Sequence, residues 1–245
     1  AYTPLSAVYH PDHTFKVVDY YEKAALLCLM DLDLLVESPK NYFMGGIGDT
    51  LAKWYEAEGI TRHVEGTLPA MVQVGLKTAK VTQKLLLKDS TEALRNLENS
   101  EVTDAFKRVA EAVVAIAGTV GGFAGEYGRM AGAHAIHNGM SLIQETHSFE
   151  HGVKVAYGIL VQLWASGDEK EVRKLLPFFE SNHFPYRFSD FGVKTDFSNK
   201  AKEVAEFAAS SKETFNLAVP GVTKETILDA MKALESLSES VPVYH

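Results

Sequence analysis

Apolar and polar residues alternate strand-wise only near the start of the chain, and recur at helical spacing from about residue 40 to the end. Residues 2–24, YTPLSAVYHPDHTFKVVDYYEKA, set two stretches rich in Val, Tyr and Thr around Pro11-Asp12, which predicts a β-hairpin. The apolar run ALLCLMDLDLLVESPK follows, closed by Ser38-Pro39, and predicts a buried strand. GDTLAKWYEA predicts a helix headed by Asp49 as N-cap, and Pro69 falls where a first helical position is expected in TLPAMVQVGLKTAKVTQKLLL. TDAFKRVAEAVVAIAGTV puts Phe106, Val109, Val113, Ile116 and Val120 on one stripe that closes at Gly121-Gly122. GVKVAYGILVQLWA is apolar nearly all round and predicts a central buried helix; NKAKEVAEFAAS and TKETILDAMKALESL predict peripheral amphipathic ones. The expected fold is mainly α. A small β segment, residues 1–40, precedes a helical domain, residues 41–245.

Composition narrows the function classes. Of the 245 residues, 46 % are hydrophobic and 23 % charged, which is ordinary for a globular chain with a sizeable core. The formal net charge of −8 argues against nucleic acid or an anionic membrane surface as partner. No sequence run approaches the roughly 18 apolar residues of a membrane span, and the start shows no signal-peptide pattern. The single cysteine, Cys28, fits a reducing compartment, so a cytoplasmic location is expected.

Four of the nine histidines, His134, His137, His147 and His151, fall within residues 134–158 beside several glycines. His134 and His137 are three apart and share one helix face. Neutral imidazole and carboxylate suit zinc and iron, and a catalytic metal takes about three protein ligands with one position open. Asp49 in GGIGDT is the natural carboxylate partner. Spacing alone also admits hydrogen-bonded structural histidines, and an Asp that is only a helix cap.

GGIGDTLAKWYEA, AGAHAIHNG and HGVKVAYGILVQL, in this order, resemble the iron- and zinc-containing alcohol dehydrogenase superfamily, in its glycerol and hydroxycarboxylate dehydrogenase branch. The resemblance implies the all-helical C-terminal domain of a dehydroquinate synthase-like, iron-containing alcohol dehydrogenase fold, with the β segment as a remnant of the nucleotide-binding domain. It also implies Asp49, His134 and His151 as metal ligands and His137 as a proton relay near the nicotinamide. YTPLSAVYH resembles the hydroxyl-rich hairpin beside that ring, which assigns Thr3 and Ser6 to cofactor binding. The implied cofactors are Zn2+, with Fe2+ as the alternative, and NAD or NADP. The implied reaction is metal-assisted hydride transfer between nicotinamide and a small polyol or 2-hydroxy acid, in a chain that forms a monomer or a homo-oligomer.

Two departures qualify the pattern. The iron-binding branch has a further histidine four residues after the Asp, where this chain has Lys53, which favours a three-ligand zinc site. No G-x-G-x-x-G phosphate loop occurs, so the chain is expected to correspond to the C-terminal two-thirds of a dehydrogenase and to lack most of the NAD site. A dehydroquinate synthase-like lyase and a non-catalytic metal-binding fragment are the competing readings. Arg129 in EYGRMAGAHA stands where glycerol dehydrogenases carry a small residue. A guanidinium there is either a clamp for a substrate carboxylate or a salt-bridge residue.

Overall fold

A computed structural model describes residues 3–12, 14–23 and 25–237. The hairpin forms where the alternation places it. Strands β1 (Leu5–Tyr9) and β2 (Phe15–Tyr20) pair antiparallel, with Leu5 opposite Tyr20 and an irregularity between Val8 and Tyr9. The Asp12 carboxylate fastens the turn, accepting from the Thr14 backbone N–H at 3.0 Å and the Thr14 hydroxyl at 2.7 Å. Tyr2 and Ala24, at the ends of the expected hairpin segment, lie outside the described residues. These are the only strands among the described residues.

The apolar run after the hairpin is not the buried strand expected of it. Leu26, Leu27 and Leu29 are exposed, and only the single-turn helix α1 (Leu32–Leu35), capped by Asp31, forms there. A buried strand needs paired neighbours, and the available sheet is a two-stranded ribbon that this run does not join.

Helix α2 (Lys40–Thr61) starts after Pro39, so Asp49 sits in mid-helix and is not its N-cap. The glycines of GGIGD, which precede the expected helix start, are themselves helical, and Gly45 and Gly48 lie against the neighbouring helix His151–Ala165. Helix α3 (Ala70–Glu98) begins immediately after Pro69, which is its N-cap position. Thr103 caps α4 (Asp104–Glu111), which passes through a π-helical turn, Ala112–Ile116, into α5 (Ala117–Ala124). The helix therefore runs past Gly121-Gly122 and stops at Gly125, whose φ of +57° a side chain rarely adopts. By length and composition the continuous run Asp104–Gly128 is apolar enough to cross a membrane, which corrects the expectation that no such run exists. The run joins α4, the π-helical turn, α5 and a 3-10 turn, Gly125–Gly128. It packs along α3 with Phe106, Val109, Ala117 and Val120 buried, while residues 113–116 are half-buried and Phe123 is exposed.

Helices α6 (Gly132–Met140) and α7 (His151–Ala165) follow, then α8 (Glu169–Ser181), α9 (Phe197–Ala208), α10 (Phe215–Ala218) and α11 (Lys224–Glu235). Helix α7 is the axis of the domain. It packs against α2, α6, α8 and α11, and every residue from Gly152 to Leu163 is buried, as its all-round apolar surface predicts. The α9 and α11 stripes complete the outer layer with Val204, Ile227 and Leu234.

Candidate metal centre and the cavity around it

Two glycines on α7 decide what meets at its N-terminal end. A Cβ on Gly152 would stand 1.8 Å from the Gly45 carbonyl oxygen, so α2 and α7 cross at backbone contact. A Cβ on Gly158 would stand 2.3 Å from the Ala133 carbonyl oxygen, which draws α6 equally close. Asp49 lies one turn beyond Gly45, His151 precedes Gly152, and His134 follows Ala133. The two crossings thus bring one residue from each of three helices together.

One ligand atom from each of Asp49, His134 and His151 lies within 4.8 Å of the other two. The Asp49 Oδ1 is 3.2 Å from His134 Nε2 and 3.5 Å from His151 Nε2. A tetrahedral ion bound at about 2.0–2.2 Å sets its ligand atoms roughly 3.4 Å apart. The spacing and the neutral-imidazole and carboxylate donors fit such an ion.

Glu56 completes the arrangement and was not legible in the motifs. It lies two helical turns after Asp49 on α2, fully buried. Its carboxylate accepts from the backbone N–H groups of Ala131 at 2.7 Å and His134 at 3.0 Å, and pairs with His134 Nδ1 at 2.8 Å. A carboxylate behind the imidazole fixes the ring so that Nε2 faces Asp49. Glu56→Gln is expected to weaken zinc binding by about 10–100-fold, measured by competition with a chelating dye. Unchanged affinity would detach Glu56 from the site.

The electrostatics follow from this pairing. Burial opposes charge on His134, but Glu56 attracts it and Asp49 and Glu56 hydrogen-bond it, raising its pKa to about 9. Burial also opposes charge on Asp49, yet Lys53, His134 and His151 hold it well below the usual carboxylate range. Burial pushes His151 below the ordinary imidazole value, against the pull of Asp49. Without metal, His134 Nε2 therefore carries a proton at neutral pH that an incoming cation must displace. Zinc affinity is expected to climb about tenfold per pH unit from neutrality until pH approaches the His134 value of about 9, and then to level. A flat profile would remove His134 from the ligand set. The same raised pKa stabilises the metal-free fold fully below the ordinary value of 6.5, and that contribution is lost as pH rises through about 9.

A cavity of about 340 Å³ opens onto the three residues and is walled also by Thr3, Ser6, Lys53 and Arg129. Six of the seven residues singled out in the sequence line it. Arg129 lies over the Tyr20 ring of β2, 4.9 Å from its centre. The seventh, His137, is buried behind the wall: its Nε2 is 3.2 Å from His151 Nδ1. Tyr9 of β1 also reaches this spot, its hydroxyl 3.3 Å from His151 Nδ1. His147 is fastened to the Ser141 carbonyl at 2.8 Å and does not line the cavity.

No protein-family model matches the chain. Hydroxycarboxylate dehydrogenase A of Escherichia coli (strain K12) is 34 % identical over 238 residues, which are 96 % of this chain and 65 % of that protein. Glycerol dehydrogenase of Pseudomonas putida is 31 % identical over 239 residues, 96 % of this chain and 64 % of that protein. Among solved structures, a probable glycerol dehydrogenase from Sinorhizobium meliloti 1021 superposes with a TM-score of 0.87 at 25 % identity, covering 98 % of this chain and 67 % of that one. The chain spans a little under two thirds of the length of these curated relatives. The resemblance read from the three motifs holds over nearly the whole chain, and so does the expected helical fold with its small β segment.

Proposed function

We propose that this chain, similar over 96 % of its length to hydroxycarboxylate and glycerol dehydrogenases, belongs to the iron- and zinc-containing alcohol dehydrogenase superfamily and supplies the metal- and substrate-binding part of a nicotinamide-dependent alcohol dehydrogenase. The observation that carries the reading is the convergence of Asp49, His134 and His151 in a cavity also walled by hydroxyls and cations. When bound, zinc or ferrous iron supplies Lewis-acid polarisation of an alcohol or carbonyl oxygen, and NAD or NADP supplies the hydride chemistry. Lys53, one turn after Asp49, offers no fourth imidazole, which favours zinc.

Each residue then has a task. Asp49, His134 and His151 hold the ion, and Glu56 orients His134. Thr3 and Ser6 present hydroxyls to the cofactor side of the cavity, so residues 1–40 group with nucleotide binding and 41–245 with metal and substrate. His137 lies one hydrogen bond behind His151, so any proton it handles passes through that ring. The lyase and non-catalytic readings are not favoured, because the relatives are dehydrogenases. Steady NADH production from a diol or a 2-hydroxy acid, by the full-length protein that carries the nucleotide-binding part, tests the reaction class; no accumulation of NADH over many turnovers of substrate would support the lyase instead.

Substrate class turns on Arg129 and Lys53, two cations in the cavity wall. A guanidinium grips a carboxylate in bidentate fashion, which selects 2-hydroxy acids and their 2-oxo counterparts over glycerol. Arg129→Ala is expected to cut kcat/KM for a 2-hydroxy acid by about 1.5–3 kcal/mol while leaving glycerol nearly unchanged. Equal losses on both substrates would return the reading to a simple polyol dehydrogenase.

A further inference from the structure

Behind His151 a line of hydrogen bonds leads away from the cavity to Glu213. His151 Nδ1 and His137 Nε2 are 3.2 Å apart, and His137 Nδ1 is 3.0 Å from Asn138 Oδ1. Asn138 Nδ2 donates to the two Glu213 carboxylate oxygens at 3.1 and 3.3 Å. His137 and Asn138 are buried, whereas Glu213, between α9 and α10, is only half-buried.

Each link could run in either direction, and the Glu213 end decides, because hydrogen bonds join it to the line. Asp49, at the other end, lies nearer to His134 Nε2, at 3.2 Å, than to His151 Nε2, at 3.5 Å. A carboxylate accepts and never donates. Glu213 therefore requires the amino group of Asn138, which turns Oδ1 toward His137. That oxygen requires a proton on His137 Nδ1, so the neutral ring presents a lone pair at Nε2. The lone pair accepts from His151 Nδ1–H, with the Tyr9 hydroxyl beside the same proton. His151 Nε2 is then bare, and Asp49 Oδ1, 3.5 Å away, takes its proton contact from His134 Nε2 at 3.2 Å instead. A flipped Asn138 would reverse every link and place the proton on His151 Nε2, where a metal ligand carries none.

We infer that Glu213 is a remote positioning residue: through Asn138 and His137 it selects the His151 tautomer whose Nε2 is free to bind a metal. The inference rests on the proposed metal site only for what the free nitrogen is for; the tautomers are a property of the metal-free protein.

The test is a long-range proton–nitrogen correlation spectrum of histidine-labelled, metal-free protein, read beside a separate zinc titration. At about pH 8.5 both rings are neutral by the ordinary imidazole value of roughly 6.5. Glu213, raised by burial to about 7 against the hydrogen bond from Asn138, is then a carboxylate. The expected result is a proton on Nδ1 of both His137 and His151. Glu213→Ala should give mixed His137 tautomers and about tenfold weaker zinc binding. N138D/E213Q should restore both, because the new carboxylate accepts from His137 while the glutamine amide donates to it. His137 protonated on Nε2 in the unmodified protein, or tautomers unmoved by Glu213→Ala, would overturn the inference. If Glu213→Ala does not fold, the unmodified and N138D/E213Q spectra decide, since both must show Nδ1–H. The assigned tautomers without any zinc binding would sink the metal reading and leave the line of bonds standing.

Discussion

Gly152→Ala is expected to lower Tm by about 6–12 °C and to abolish metal retention, although it touches no ligand. The added methyl would stand 1.8 Å from the Gly45 carbonyl oxygen, and rigid backbone cannot turn aside as a side chain can. The two helices must separate, at a cost of about 3 kcal/mol, near the upper end for an overpacked core. In a chain of this size each kcal/mol moves Tm by about 2–4 °C. Separation also draws Asp49 away from His151, so metal binding fails with the packing. Gly122→Ala is the control of opposite sign. Nothing lies within 4 Å of a Cβ there, and in a helix the change should stabilise by about 0.5–1 kcal/mol. Differential scanning calorimetry with metal analysis reads both variants. A Gly152→Ala protein with unchanged Tm and metal content would show that α2 and α7 do not cross as described.

The second large effect is loss of a ligand. His151→Ala removes one of three donors and should weaken zinc binding by on the order of a thousandfold, about 4 kcal/mol, if the ligands share the binding free energy evenly. Turnover should fall with the metal, and added zinc should not restore it at micromolar concentration. His147→Ala serves as its counterpart. It loses the bond to the Ser141 carbonyl, about 1 kcal/mol of stability, and should keep both metal and activity. Equal metal loss in the two variants would mean that the histidines act through the fold and not through coordination.

Much of this molecule is legible in the sequence. Alternation around Pro11-Asp12 marks the hairpin, the apolar surface of residues 152–165 marks the central helix, and three ordered motifs mark the residues that converge. What escapes has physical causes. The helix is expected to start at Asp49 and not at Lys40, because the helical use of Gly45, Gly46 and Gly48 depends on partner elements that local sequence does not reveal. The run from Leu26 to Leu29 has strand composition but no sheet to enter. Gly121-Gly122 looks like a helix end, yet the stop falls at Gly125, where the backbone itself turns to positive φ. Glu56 and Glu213 escape for another reason. A carboxylate behind a histidine, or two links behind it, leaves no spacing signature unless the fold is known. The one available clue is that Asp49, Lys53 and Glu56 repeat on one face of a helix within two turns.

The central claim is that one ion is held by Asp49, His134 and His151. The most direct measurement is an anomalous difference map collected at the zinc absorption edge from crystals of the zinc-loaded protein. The account predicts one dominant peak about 2.0–2.2 Å from an Asp49 carboxylate oxygen, His134 Nε2 and His151 Nε2. A dominant peak elsewhere, or one in this cavity from which any of the three residues has turned away, would contradict it.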